Sequence, residues 1–223
     1  MFRKTWVVSF VFAAVFAPAA FAAEDTPAAS RVEGVTIHYY ATLNEAFEAA
    51  AGTSINTPDE ITVLSDIILD EPIIIDTTKH IRLVAADGSK TIQRGSGNLD
   101  DPLFWLTGEF ASLTLGKPYM GSELSSGGSL SSGESLVIDG GYLNTPPIQA
   151  LAPLISVNGK SAKLIMYDNV FLQNNYNSGT GVGPNMNKNG AGVFLRADHS
   201  DTENHVEFIM KGGTIRGNIN NTQ

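Results

Sequence analysis

The chain has 223 residues, a formal net charge of −9 and no cysteine. This length is sufficient for one sizeable core, and the acidic balance argues against nucleic acid and anionic membranes as partners. Without cysteine, disulfides cannot hold the fold together.

The first 22 residues predict a secretory signal peptide. Arg3 and Lys4 give a positive start, residues 7–16 are apolar except for Ser9, and Ala20 and Ala22 occupy the −3 and −1 positions of a cleavage site. Cleavage removes two positive charges and no acid, so the net charge becomes −9 − 2 = −11. We expect export to the cell surface, the outer membrane, the medium or the periplasm, with no membrane span after signal removal.

Residues 23–34 are small and polar and are predicted to form a leader, and residues 35–101 an N-terminal cap with the first strands. One helix is predicted after a strand at 35–40. Thr42 and Glu45 have the spacing of a capping box, and Gly52 is the predicted C-terminal stop.

Short β-rich runs follow the helix, at residues 60–64, 67–69, 73–75, 81–84 and 91–93. The turns between them leave no room for crossover helices, which excludes a βαβ fold. Several runs are continuously apolar, as in strands that are covered on more than one side, and this argues against a sandwich.

Residues 102–223 contain an internal repeat. Residues 163–174 align without a gap on residues 207–218, which places Met166 on Met210, and a partial third copy at 135–144 places Ile138 in the same position. Another strand recurs at 103–106, 154–157 and 193–196, each time followed by a second strand at 113–115, 164–166 and 208–210. Residues 116–134, 175–188 and 198–204 are predicted surface insertions.

The repeat predicts an all-β fold of stacked rungs. A period of about 44 residues also fits propeller blades, but the chain holds fewer than three units and a closed propeller needs at least four. A parallel β-helix remains, with rungs about 4.8 Å apart.

Several segments carry a family resemblance. Residues 40–50, 61–66, 72–75 and 81–84 resemble the entry segment of bacterial right-handed β-helix proteins, in which a capping helix precedes the first rungs. Residues 139–141 and 212–218 resemble the rung repeats of pectin-lyase-like surface proteins and polymorphic outer-membrane adhesins. The resemblance covers residues 35–221 and implies a right-handed parallel β-helix with an N-terminal capping α-helix. It leaves the activity open, because this superfamily holds lyases, hydrolases, adhesins and structural stacks.

The catalytic candidates are carboxylates, because the lyases and hydrolases of this fold use clustered carboxylates for calcium binding or acid–base catalysis. Asp139 and Asp168 lie near matched rung positions. Asp66, Asp70 and Glu71 are also clustered, but they stand at turns, where Asp is favoured for its backbone hydrogen bonds. Calcium is the cofactor of the lyase alternative, and no cofactor is otherwise expected.

The remaining candidates are weaker. A candidate metal site consists of His199, Asp201, Glu203 and His205. Their spacing matches no standard ligand pattern, however, and favours a solvated loop. Trp105 and Tyr167 are candidates for carbohydrate contact from an outer rung face. Asn174 and Asn218 are predicted to stack as an internal amide ladder.

Three functions stay open. The first is an exported, non-catalytic surface protein of adhesin type that binds a carbohydrate or a host or matrix protein. The second is a lyase or hydrolase acting on an acidic polysaccharide, and the third is a truncated fragment of a larger surface protein without independent activity. In each, we expect another chain or further rungs to cover the C-terminal end.

Overall fold

The computed structural model describes residues 26–118, 134–178, 190–197 and 205–221. Within these ranges the chain is mostly β-structure, with one short helix, α1 (Leu43–Ala49). The strands are β1 (Ala29–Glu33), β2 (Thr36–Tyr40), β3 (Asp59–Val63), β4 (Ile67–Leu69), β5 (Ile73–Ile75), β6 (His80–Ala85), β7 (Ser89–Arg94), β8 (Phe104–Leu106), β9 (Ser112–Leu115), β10 (Ser135–Asp139), β11 (Ile155–Val157), β12 (Lys163–Met166), β13 (Val170–Gln173), β14 (Tyr176–Asn177), β15 (Val193–Leu195), β16 (Glu207–Met210), β17 (Thr214–Arg216) and β18 (Ile219–Asn220).

Over the described residues the strands form four sheets, and the chain visits three of them in a fixed rotation. The fourth sheet holds only β14 and β18, which pair in parallel. The first sheet has the order β16-β12-β9-β6-β3-β1-β2, the second β17-β13-β10-β7-β4, and the third β15-β11-β8-β5. From β3 onward each circuit enters the first, second and third sheet in turn, and its strands pair in parallel with those of the previous circuit. The prediction of an all-β chain with parallel sheets is therefore confirmed.

Equivalent positions of successive circuits form columns. In the first sheet Leu83, Leu115 and Met166 lie in register and are completely buried. In the third sheet Phe104 and Ile155 lie in register and are also buried. Because side chains alternate between the two faces of a strand, a column that points inward builds the core and its neighbour points outward.

The register corrects part of the predicted repeat. Met166 pairs with Met210 as predicted, 44 residues apart, but Leu172 pairs with Ile215, 43 residues apart. The chain takes five residue steps from Met166 to Phe171 but four from Met210 to Thr214, the partner of Phe171, so the gapless alignment is wrong beyond the first strand. The third copy is also wrong, because Ile138 lies in the second sheet and pairs with Leu172.

The helix has the predicted start and a different end. Thr42 Oγ1 accepts a hydrogen bond from the Glu45 backbone N–H, and the Glu45 carboxylate accepts one from the Thr42 N–H, so the capping box is confirmed. The C-cap is Ala50. Gly52 is not the helix stop: it lies against the backbone of His80, and a Cβ there would clash with the His80 carbonyl.

Strand β1 falls inside residues 23–34, the segment that is predicted to be a leader. It runs antiparallel between β2 and β3, and Arg31 in it is buried. The Arg31 guanidinium donates to Asp59 at 3.1 Å, and the same carboxylate oxygen accepts the N–H groups of Ala51 and Gly52. Burial alone raises the pKa of Asp59, but the two backbone hydrogen bonds and the Arg31 charge outweigh it and lower that pKa.

The described C-terminal strands leave apolar side chains exposed. Met210 is 49% exposed, whereas its buried column neighbour Met166 is at 0%. Leu195 and Ile215 are exposed in the same way, although their partners Val157 and Leu172 are buried. At the other end, α1 covers the core: its Phe47 ring lies 6.1 Å from the ring of Phe104.

A buried arginine ties two circuits together. Arg94 ends β7 on its inward side and is completely buried. Its Nη1 donates to the carbonyls of Asn98 and Asp101 at 2.7 Å, and its Nη2 to that of Pro153 at 2.8 Å. Burial lowers the pKa of Arg94 to about 10, against the opposing effect of the Asp101 charge, so the group stays charged at neutral pH.

Replacing Arg94 tests this link. We expect Arg94→Met to keep the volume but leave buried carbonyls without donors, lowering the free energy of unfolding by about 2–4 kcal/mol in urea denaturation. The control is Lys163→Met, which removes a half-exposed ion pair with Glu207 and should cost less than about 1 kcal/mol. Equal losses in the two variants would contradict the structural role of Arg94.

Candidate ligand-binding face

Both oxygens of the Asp139 carboxylate accept hydrogen bonds within the protein. Its Oδ1 accepts the N–H of Gly141 at 2.7 Å, and its Oδ2 accepts the side-chain amides of Gln173 at 2.9 Å and Asn174 at 2.8 Å. These bonds tie β10 to the strand of the next circuit. The arrangement suits a structural cross-link and leaves little capacity for calcium or proton transfer.

Asp168 does not lie at a matched position. Asp139 pairs with Gln173 in the second sheet, whereas Asp168 stands in the exposed turn between β12 and β13, close to Gly212. The prediction that Asp139 and Asp168 lie near equivalent positions of two rungs is wrong. The third copy of the repeat, which contains Asp139, belongs to another sheet.

Substitution of these two carboxylates separates their roles. Asp139→Asn replaces one carboxylate oxygen by an amide N–H₂, which would face a hydrogen-bond donor of the protein and leave that donor without an acceptor. We expect this change to lower the free energy of unfolding by about 1–3 kcal/mol. Asp168→Asn, in its exposed turn, should stay within about 0.5 kcal/mol of the parent. Thermal and urea unfolding measure both. Equal stability of the two variants would refute the cross-link.

The other carboxylate and histidine candidates do not converge. Asp66 accepts the N–H of Thr91, and Asp70 that of Gly97, as predicted for turn residues. Over the described ranges, no three His, Cys, Asp or Glu side chains are grouped to hold a metal ion. His205 is exposed, and the other three residues of the candidate metal site, His199, Asp201 and Glu203, lie outside the described residues.

A histidine–serine pair lies on the outer face of the first sheet. His80 Nδ1 is 2.8 Å from Ser112 Oγ, and burial lowers the pKa of His80, which favours the neutral imidazole. Such a pair can activate a hydroxyl nucleophile. Ser112 is completely buried, however, so its hydroxyl serves the packing of β6 against β9.

Tyr167 is occupied by its neighbour in the next circuit. The Lys211 ammonium lies 5.3 Å from the centre of the Tyr167 ring and 3.4 Å from its hydroxyl. Phe171 on the second sheet is covered similarly, with the Arg216 guanidinium 5.1 Å from its ring centre. Both aromatic rings therefore contribute to contacts between circuits.

The asparagine pair is shifted by one residue. The register of the flanking strands places Asn175, not Asn174, beside Asn218. Asn218 Oδ1 accepts the N–H of Asn175 at 3.0 Å, and its Nδ2 donates to the Leu172 carbonyl at 2.9 Å. Asn175 is completely buried and donates to the carbonyls of Ala152 and Ala191. Asn174 instead contacts Asp139.

Trp105 belongs to an outward column on the third sheet, which we call the aromatic row. Its register partners are Ile74, Ser156 and Phe194. The flanking residues of β5, β8 and β11 are buried core, so alternation directs the aromatic row outward. Trp105 and Phe194 are partly exposed, Ile74 is 49% exposed, and Ser156 between the rings is buried with no partner for its hydroxyl.

A second outward column, the polar row, lies two residues further along the same strands. Continuing the register from the strand ends, it consists of Asp76, Thr107, Asn158 and Arg196. The Trp105 indole Nε1 donates to Asn158 Oδ1 at 3.2 Å, which joins the two rows. Together they form a face with aromatic surface on one side and hydrogen-bonding groups on the other, which we call the ligand face.

Sequence reasoning found Trp105 but missed Phe194 and Ser156. The alignment of 193–196 with 103–106 set Phe194 against Phe104, whereas the register places Phe194 with Trp105, one residue further along. Recognising that the central residue of each three-residue strand points outward would have found both.

Comparison with known proteins gives no family. Neither a family model, nor a curated protein, nor a solved structure matches the chain. Among the described residues, no helix combines the length and apolarity needed to cross a membrane. The β-helix resemblance and the predicted export therefore stay predictions.

Proposed function

We propose that the chain is an exported, non-catalytic surface protein of adhesin type that binds a carbohydrate or a matrix protein through the ligand face. The observation that carries this proposal is the aromatic row beside the polar row on the outside of the third sheet. Partly exposed aromatic surface next to hydroxyl and amide groups is the composition of recognition sites.

We also propose that the three sheets form a right-handed parallel β-helix capped by α1. Support comes from the fixed rotation of the chain through the sheets and from the parallel register between circuits. Right-handed crossover is the strong rule for parallel connections between strands. Such a stack presents a long outer face built from equivalent positions, which suits an extended ligand.

The use of Asp139 favours binding over polysaccharide cleavage. Both of its carboxylate oxygens accept hydrogen bonds from the protein, so it would have to break a link between circuits to act on a substrate. A general acid or base needs a carboxyl group within hydrogen-bond reach of the substrate.

A combined turnover and binding assay tests the proposal. We expect the mature chain, residues 23–223, to release no product from pectin, alginate or glycosaminoglycans, with or without calcium, and to be retained on an immobilised carbohydrate or matrix protein. Matched Trp105→Ala and Tyr167→Ala variants separate the ligand face from an aromatic residue elsewhere, and only the first should lose retention.

Two outcomes would contradict the proposal. One is turnover that is abolished by Asp168→Asn, or by Asp139→Asn under conditions where that variant is folded. The other is equal retention of the Trp105→Ala variant and the parent protein.

A further inference from the structure

From the ligand face we infer that the ligand is a neutral, extended glycan whose chain runs across the strands of the third sheet. This inference rests on the proposed function and specifies its ligand. Three features of the face carry it: the spacing of the two rings, the unpaired hydroxyl between them, and the charge of the polar row.

The two aromatic rings stand on alternate strands. Trp105 and Phe194 each neighbour Ser156 in register, so they are two strand spacings apart, about 9.6 Å. An aromatic face carries partial negative charge and attracts the C–H groups of a sugar ring. Two aromatic rings in line at this separation, with a small residue between them, match alternate sugar units of an extended chain better than a single compact ligand.

Ser156 supplies an unpaired polar group at the centre of the row. Its hydroxyl is completely buried and has no hydrogen-bond partner in the protein. A buried hydroxyl without a partner is costly, and a sugar hydroxyl, which both donates and accepts, matches it. Access requires a shift of the Trp105 or Phe194 side chain, and both are already partly exposed.

The charge of the face favours a neutral ligand. The polar row has one acid and one base at its two ends, Asp76 and Arg196, and the uncharged Thr107 and Asn158 between them. An acidic glycan needs clustered cations, and it would also approach a chain with a net charge of −9. Amide and hydroxyl groups at the centre of the row suit sugar hydroxyls.

Fluorescence of the mature chain tests this inference. The sequence contains two tryptophans, Trp6 and Trp105, and the first lies in the predicted signal peptide, so Trp105 is the single reporter in residues 23–223. We would titrate it with neutral hexasaccharides (xylan, cellulose, mannan, β-1,3-glucan and chitin types) and with acidic ones (galacturonate, alginate and hyaluronan). We expect at least one neutral series to shift the Trp105 emission.

Two phenylalanine variants provide the matched comparison. Phe194→Ala removes the second ring of the aromatic row and should lower the affinity for the neutral glycan by about three- to ten-fold. Phe171→Ala removes a partly exposed ring from the outer face of the second sheet and should leave affinity within about two-fold. Circular dichroism and thermal unfolding establish that both variants are folded.

The inference is overturned if no neutral glycan changes the emission, if acidic glycans alone bind, or if Phe171→Ala weakens binding as much as Phe194→Ala. Its failure is distinguishable from failure of the proposed function. Binding to a matrix protein that Trp105→Ala abolishes would reject the glycan and retain the binding role, whereas release of cleaved product would reject the binding role itself.

Discussion

The structure depends on parallel backbone hydrogen bonding between successive circuits in one fixed register. From β6 onward, each strand of the first sheet pairs in register with the strand of the previous circuit, so residues with the same role lie above one another. The inward columns then exclude water, because apolar side chains from separate short strands lie next to one another in space. The outward columns acquire the same regularity, so the aromatic row and the polar row are built from successive strands of the third sheet and not from a single loop.

Polar groups inside the stack are used where the chain turns from one sheet to the next. Arg94 binds backbone carbonyls from two circuits, and Asn175 binds the carbonyls of Ala152 and Ala191. Carbonyls at turns lie outside the regular pairing of the strands, and a buried side chain that donates several hydrogen bonds can satisfy them. Asp139 has the opposite role on the outer face, because its carboxylate accepts hydrogen bonds from N–H groups of its own circuit and of the next.

Local patterns predicted the elements well and the register incompletely. The β-branched runs at 67–69 and 73–75 became β4 and β5 with the same bounds, and the capping box fixed the start of α1. Strand β1 was missed because all of its residues except Val32 are small or polar, and its pairing with β2 and β3 makes it a strand. The offset of the second sheet depends on the length of one turn, and a one-residue change there reverses which side chains face inward. This one-residue difference explains why the asparagine pair was misplaced. A similar shift of one residue in the third sheet explains why Phe194 was missed.

Disulfide cross-linking tests the register most directly, because the chain has no cysteine of its own. The account predicts that Phe171→Cys with Thr214→Cys, which are register partners, forms a disulfide on mild oxidation while the protein stays folded. It predicts no cross-link for Val170→Cys with Thr214→Cys, the pair that a constant offset of 44 residues would align. Cross-linking of the second pair, without the first, would contradict the register on which the core and the ligand face depend.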